Sequence, residues 1–190
     1  LGVHHGDKTT RELISHQMDG VYFPITLSEF GARVYFRDLE EECIEIDGIT
    51  VETKLLSHPG KCLGYRINYN GRSVCYITDN ELFKETSEFY SPHYEKKLAE
   101  FCFQTDALIT DTTYTDEEYE TKVGWGHSCI SKVVQLADMA EVKKLYLFHH
   151  DPDQLDIDID AKHGKAMEML AERNSAVNLE TPKEGDRYKI

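Results

Sequence analysis

Short apolar runs of two different periods divide the chain into two parts. Between residues 34 and 78, short β-rich runs are punctuated by Asp47-Gly48 and Asn70-Gly71. These dipeptides favour two-residue hairpin turns, because both of their residues adopt a positive φ readily. The pattern therefore predicts an antiparallel meander. Its expected strands cover residues 34–36, 43–46, 49–56, 63–69 and 73–78.

After Asp79 the pattern changes, and stripes of apolar residues at helical spacing alternate with short buried runs. This alternation is typical of parallel strands joined by crossover helices, so we predict an α/β fold. Thr9 or Thr10 is expected to cap an opening helix. The expected helices cover residues 9–18, 94–102, 130–137 and 166–170, and the expected strands cover residues 107–109 and 145–148.

Length and composition fit one folded domain that spans residues 1–190. Hydrophobic residues make up 40% of the 190 positions, which is enough to bury a sizeable core, and no linker or repeat divides the chain. The five cysteines are odd in number and form no Cys-x-x-Cys pair, so we expect buried free thiols in a reducing compartment. No apolar stretch is long enough to span a bilayer, and no charged-then-apolar leader opens the chain. A cytoplasmic protein without a membrane partner is the expectation.

The charge of the chain is strongly acidic and bears on the class of substrate. With 35 acidic and 21 basic residues, the formal net charge is −14. This charge would repel a long polyanion except where a bound cation reverses the local field. A small substrate is therefore favoured over extended DNA or RNA.

Four polar signals follow the expected buried strands, namely His58, Asp79, Asp111 and His149. In open α/β sheets, ligands bind beyond the carboxyl ends of the strands. Each of these residues taken singly reads as a turn former or a helix cap. Together they form the mixed histidine and aspartate set that suits zinc, iron or manganese.

A fifth signal lies in Gly124-Trp125-Gly126-His127-Ser128, just before an amphipathic helix for which Ser128 or Ser131 is the expected N-cap. A helix N-terminus attracts anions, so His127 could contact a phosphoryl oxygen and donate a proton to a leaving oxygen. The alternative is a tight loop that only packs the indole ring of Trp125.

Four runs of the chain resemble, in order and spacing, the later motifs of the metallo-β-lactamase superfamily. The branch that they resemble contains the tRNA 3′-end endonucleases and the phosphoribosyl cyclic phosphodiesterases. The resemblance extends from about Val51 to Asp151. The runs are Ser57 to Arg66, Ile77 to Asn80, Gly126 to Ser128, and Leu147 to His149.

The resemblance implies an αββα sandwich that holds two divalent metal ions. Zinc and manganese are the favoured metals, and iron is a further candidate. By this resemblance, His58 of this chain would bind one metal, Asp79 would bridge both, and His149 would bind the other. His127 would be the general acid, and Asp111 would orient it. These roles are what the resemblance implies and do not follow from the spacing alone.

The sequence departs from the family pattern at its start, since nothing matches the family's His-x-His-x-Asp-His loop. His4-His5-Gly6-Asp7 has the wrong spacing, so His4 and His5 are expected to be loop residues. We therefore expect an N-terminally incomplete sandwich without the first strands, with low or partial metal content. Association with another copy or with a missing N-terminal segment is a further expectation. His150 has no role by this resemblance; it could support a metal ligand from behind or be exposed, and exposure is the favoured expectation.

Three functions fit these observations. The favoured one is a metal-dependent hydrolase, a phosphodiesterase acting on a small cyclic or nucleotide phosphodiester. A tRNA 3′-processing endonuclease acting on structured RNA is less favoured, because the stretch from Tyr65 to Ile77 leaves no room for a substrate-gripping arm. The third is a catalytically silent module of the same fold that binds a ligand or a partner.

Overall fold

The computed structural model describes residue 2 and residues 6–190, so His4 and His5 lie outside the described residues. A short 3-10 helix covers Leu27–Glu29. The helices are α1 (Thr10–Gln17), α2 (Pro92–Cys102), α3 (Asp116–Tyr119), α4 (Ile130–Met139) and α5 (Asp156–Glu172). The strands are β1 (Cys43–Ile46), β2 (Ile49–Leu55), β3 (Leu63–Tyr69), β4 (Arg72–Ile77), β5 (Ala107–Asp111), β6 (Lys144–Phe148) and β7 (Asn178–Glu180).

The strands of the described residues form one seven-stranded sheet in sequence order, from β1 to β7. Strands β1 to β4 pair antiparallel, whereas β4 to β7 pair parallel. This confirms the α/β fold class and the predicted change from a meander to parallel strands. It also means that β2, β4, β5 and β6 all run in the same direction, so the loops after these four strands lie at one edge of the sheet.

Both predicted hairpin turns are confirmed. The central residues of each have positive φ, 50° and 80° at Asp47 and Gly48, and 48° and 73° at Asn70 and Gly71. These angles are those of a type I′ turn, whose twist matches that of the flanking strands. The strand expected at residues 34–36 is wrong, because this stretch pairs with no strand and leaves the side chain of Tyr35 76% exposed.

The core lies between the sheet and the helices α2, α4 and α5. Its fully buried members include Cys75, Ile77, Leu98, Cys102, Leu108, Val133, Leu136, Leu145, Leu147 and Ala166. All five cysteines are free, and Cys75, Cys102 and Cys129 are buried as expected, but Cys43 is exposed. The opposite face of the sheet remains partly uncovered in the described residues, with Ile67, Tyr76 and Phe148 each 37–40% exposed.

The sequence pattern did not predict the 3-10 helix, α3 or β7, and α5 begins much earlier than expected. Helix α3 and strand β7 are too short, at 4 and 3 residues, to show a hydrophobic period. Helix α5 begins at Asp156 rather than near residue 166, and its first turn carries Asp156 and Asp158. Acidic residues stabilise a helix N-terminus through the helix dipole, so this polar first half is helical without an apolar stripe.

A buried lysine ties α5 to the loop that follows β5. Lys162 is 0% exposed, and its Nζ donates hydrogen bonds to the carbonyl oxygens of Thr112 at 2.7 Å and Thr113 at 3.1 Å. Burial disfavours the charged ammonium and lowers the pKa of Lys162 to about 8. The folded protein therefore carries a desolvation cost at neutral pH that an uncharged side chain would not.

The stability of the wild type relative to Lys162→Met should rise with pH. Between the folded pKa of about 8 and the ordinary value of 10.5, the unfolded chain binds more protons than the folded one. We expect a relative gain of about 2 kcal/mol from about pH 7.5 to about pH 10, measured by urea unfolding at each pH. Lys165→Met, an exposed lysine on the same helix, is the control. A difference between wild type and Lys162→Met that does not change with pH would contradict the assignment.

Candidate metal centre

Four strand ends meet at one edge of the sheet and carry the predicted site residues. His58 lies in the loop after β2, Asp79 lies two residues after β4, Asp111 is the last residue of β5, and His149 follows β6 directly. His127 reaches the same place from the loop before α4. The structure thus brings together all five residues that the sequence singled out.

Asp79 lies between two histidines. Its Oδ1 is 3.9 Å from Nε2 of His58 and 3.8 Å from Nε2 of His149. These distances are too long for a hydrogen bond. They are close to twice the bond of about 2.0–2.2 Å between zinc and a nitrogen or oxygen ligand, so a divalent cation fits between each pair.

The ring of His58 is turned so that Nε2 is its free nitrogen. Gly60 engages the other nitrogen, Nδ1, with its N–H at 3.1 Å and its carbonyl oxygen at 3.2 Å. Histidines that bind metals usually have their second ring nitrogen held by such an outer group. The surroundings of His58 therefore fit a metal ligand.

Ligand atoms in the described residues form two overlapping triplets, within each of which they lie within 4.8 Å of one another. One triplet is His58, Asp79 and His127, and the other is Asp111, His127 and His149. His58 and His149 belong to different triplets, and His127 belongs to both. The donor set therefore spreads over two neighbouring positions rather than surrounding a single point.

His127 is held by a buried carboxylate. Its Nδ1 donates to Oδ2 of Asp111 at 2.7 Å, and its ring stacks on that of His149 with 4.9 Å between centroids. Asp111 is 0% exposed and also accepts hydrogen bonds from the Thr113 hydroxyl at 2.8 Å and the Ser128 N–H at 3.3 Å. The hydrogen bond that His127 donates to Asp111 raises the pKa of His127. This geometry leaves Nε2 of His127 as the nitrogen that is free for another partner.

Two of the site residues have strained backbone. Asp79 has a φ of 56° and His149 a φ of 58°, which is the left-handed region. A non-glycine residue there costs about 1–2 kcal/mol, although aspartate, asparagine and histidine tolerate it better than most. The turn after β4 brings the side chain of Asp79 into the centre, and the turn after β6 brings in that of His149.

Asn80 is a functional residue that the sequence reasoning did not identify. It is fully buried, and its Oδ1 accepts a hydrogen bond from the backbone N–H of Ser57 at 3.1 Å. The N–H of Glu81 in turn donates to the carbonyl oxygen of Ser57 at 2.7 Å. These bonds join the loop of His58 to the loop of Asp79 and so set the distance between the two side chains.

Glu81 is a second residue that the sequence reasoning missed. It is 1% exposed, and its carboxyl oxygens accept from the N–H groups of Gly124 at 2.8 Å and Gly126 at 2.7 Å and from the Tyr119 hydroxyl at 2.7 Å. An acidic residue that follows Asp79-Asn80 and precedes an apolar pair was the available signal. Glu81 thus fixes residues 124–126, the glycine loop, which lead into His127.

The glycine loop packs directly against His58. Gly126 has a φ of 92°, and a Cβ added there would lie 2.3 Å from Cδ2 of His58 and 2.7 Å from Cδ of Pro59. Only glycine fits this close approach. Trp125 points outward instead: 57% of its surface is exposed, and Lys122 Nζ lies 4.0 Å from its ring centroid. The alternative of a loop that only packs the indole ring is therefore wrong.

Two expectations about this region are wrong. Neither Ser128 nor Ser131 caps α4: the N-cap is Cys129, the Ser128 hydroxyl donates to the Asn80 carbonyl, and Ser131 bonds to the Asp116 carboxylate. His150 is half-buried rather than exposed, and neither of its ring nitrogens has a partner among the described residues. Burial, followed by the charge of Lys162, lowers the pKa of His150 to about 4.

Residues 20–150 match the family model described as the Beta-lactamase superfamily domain, and the chain therefore belongs to this superfamily. The superfamily consists largely of metal-dependent hydrolases and typically binds divalent metals. Membership confirms the resemblance seen in the sequence motifs and the metallo-β-lactamase type of fold.

Among characterised proteins, ribonuclease Z of Thermoplasma volcanium is 38% identical over 63 residues, which are 33% of this chain and 20% of that protein. Unliganded yeast PDE1 superposes with a TM-score of 0.66 at 11% identity, over 93% of this chain and 56% of that one. Zn²⁺-bound PqqB from Methylobacterium extorquens gives a TM-score of 0.61 at 15% identity, over 95% of this chain and 62% of that one. These two similarities show a shared fold.

The chain thus spans a fifth of the length of the matching ribonuclease Z and little more than half the length of the two solved structures. Each helix in the described residues is too short or too polar to cross a membrane.

Glu81→Gln should loosen the glycine loop. The amide would place an NH₂ group against at least one of the N–H or O–H donors that the carboxyl group now accepts from, and each unsatisfied buried donor costs about 1–3 kcal/mol. We expect that loss in the free energy of unfolding, measured with urea, together with faster hydrogen exchange at the amides of Gly124 and Gly126. Glu117→Gln, at an exposed carboxylate, is the control. Unchanged exchange at both glycines would show that Glu81 does not hold the loop.

Proposed function

We propose that this chain forms the centre of a metal-dependent phosphodiesterase that hydrolyses a small cyclic or nucleotide phosphodiester. His58, Asp79 and His149 would bind two divalent cations, zinc or manganese, or iron. The observation that carries the proposal is the position of Asp79, whose Oδ1 lies 3.9 Å from Nε2 of His58 and 3.8 Å from Nε2 of His149. A carboxylate in that position suits a bridge between two cations.

The need for cations also follows from the charge of the centre. Three carboxylates lie beside the histidines. Asp79 is near His58 and His149, Asp111 accepts a hydrogen bond from His127, and Glu81 accepts one from Gly126, next to His127. The net charge of the whole chain is −14. A phosphodiester is itself an anion, so bare carboxylates would repel it. When bound, two divalent cations would supply Lewis-acid stabilisation of the phosphoryl oxygens and would lower the pKa of water.

His127 would act on the leaving oxygen. Its Nδ1 is occupied by Asp111, so Nε2 is the atom that can deliver a proton. In the reaction, a water oxygen forms a new bond to phosphorus as the bond from phosphorus to one ester oxygen breaks. His127 would give its proton to that departing oxygen, and the attacking water would release a proton to solvent, from which His127 regains its own. A linear diester gives a phosphomonoester and an alcohol, whereas a cyclic diester gives a single phosphomonoester that carries the freed hydroxyl.

The acidic charge of the chain and the short turn between β3 and β4 favour a small substrate. Only Asn70 and Gly71 connect β3 to β4, so this hairpin carries no arm that could grip a structured RNA. The overall acidic charge disfavours a long polyanion. The similarity to ribonuclease Z keeps a tRNA 3′-processing endonuclease as the second candidate.

Metal binding should depend on Asp79. Asparagine tolerates the left-handed backbone at this position, so Asp79→Asn should keep the fold while removing the bridging charge. We expect at least a roughly tenfold weaker affinity for Zn²⁺ or Mn²⁺ in calorimetric titration. His93→Ala, on the exposed side of α2, is the control, and equal affinity in wild type and Asp79→Asn would refute the assignment of Asp79.

The role of His127 predicts a dependence on the leaving group. For an alcohol leaving group, as in a 2′,3′-cyclic nucleotide, His127→Ala should lower kcat/KM by about 10²–10⁴-fold. For bis(p-nitrophenyl) phosphate the loss should be much smaller, since nitrophenolate departs without a proton. The assay uses the protein at its full natural length, because the chain spans little more than half of the solved structures it matches.

Equal losses for both substrates would contradict a general acid at His127. Cleavage of precursor tRNA with neither small diester hydrolysed would favour the endonuclease. Absence of all three activities in the metal-loaded protein would favour a silent binding module.

A further inference from the structure

A cavity of about 410 Å³ opens directly beside His58. Its wall consists mainly of the apolar groups of Leu56, Pro59, Phe83, Phe89 and Gly124, and the part of the wall that His58 contributes is the His58 end of the cavity. This volume lies within the range of small-molecule pockets, about 300–1,000 Å³. The proposed metal centre uses only the His58 end of this space.

Two aromatic rings form one side of this cavity. The ring centroids of Phe83 and Phe89 are 5.5 Å apart, with 47° between the ring planes. Phe89 remains 57% exposed, although the turn that carries it is hydrogen-bonded, with the Phe89 N–H donating to the Ser87 hydroxyl at 3.2 Å. A phenylalanine held open to solvent beside a second ring offers a face on which another flat ring can stack.

Apart from His58, the described residues that line the cavity offer a ligand no free charge. Glu81 contributes to its wall, but both of its carboxyl oxygens already accept hydrogen bonds from Tyr119 and the glycine loop. The part of a ligand that enters is therefore expected to be uncharged and to have a large apolar face. The anionic part of the same ligand would remain at the His58 end.

From this arrangement we propose that the cavity is a subsite for an aromatic ring attached to the phosphodiester, with a nucleobase as its natural occupant. This inference rests on the proposed function and narrows its substrate to a nucleotide diester. A phosphodiester that carries only an aliphatic sugar would leave the two phenylalanine rings unused.

The test compares two phosphate compounds that differ only in the base. Adenosine 5′-monophosphate and ribose 5-phosphate share the charged end, and their affinities for the zinc-loaded protein can be measured by calorimetry. Stacking of a base on an aromatic side chain predicts about tenfold tighter binding of the nucleotide.

Variants at Phe89 separate stacking from folding. Phe89→Ala should reduce the affinity for the nucleotide to that for the sugar phosphate, while Phe89→Tyr, which keeps a ring, should retain most of it. Phe103→Ala removes a similarly exposed ring, at the end of α2, and should change neither affinity. Because Phe89 is more than half exposed, its loss should leave the unfolding transition in place.

The outcomes distinguish this inference from the function on which it rests. If both compounds bind equally, or if Phe89→Ala has no effect, the subsite is overturned while binding that still depends on Asp79 leaves the phosphodiesterase proposal intact. If neither compound binds, the proposed phosphate site fails and the subsite fails with it.

Discussion

The common direction of β2, β4, β5 and β6 is the constraint on which the rest of the structure depends. Because these strands run the same way, the loops after them reach one edge of the sheet and deliver His58, Asp79, Asp111 and His149 to one place. The antiparallel hairpins before β4 are required for this result. Two successive reversals bring β2 into the same direction as β4, and so a loop from the meander joins a site built on parallel strands.

Buried carboxyl groups give this edge its rigidity. Asp111 and Glu81 are almost inaccessible to solvent, yet every carboxyl oxygen of both accepts at least one hydrogen bond. A buried polar group whose hydrogen bonds are complete holds its partners in one arrangement, since any displacement leaves it unsatisfied. Asp111 thereby orients His127, and Glu81 orients the glycine loop beside His58. The acidic groups also explain why an anionic substrate would require bound cations.

Local patterns in the sequence predicted the elements whose signals are short-range. The dipeptides at both hairpins, the alternation after Asp79 and the polar residues at strand ends each depend on neighbours within a few positions. The errors have a common cause as well. The run at 34–36 is apolar but finds no strand to pair with, and the cap of α4 is Cys129 because Asn80 and Asp116, distant along the chain, occupy the two serines.

The sequence by itself determined the order of the longer strands and helices and the types of residue available for a metal centre, because hydrophobic period and turn chemistry are properties of adjacent residues. Only the tertiary structure decided the spacing of Asp79 from His58 and His149, the roles of Asn80 and Glu81, and the burial of His150. These features depend on contacts between segments far apart along the chain. No local pattern encodes such distances, since they arise when the strands pair and the loops pack.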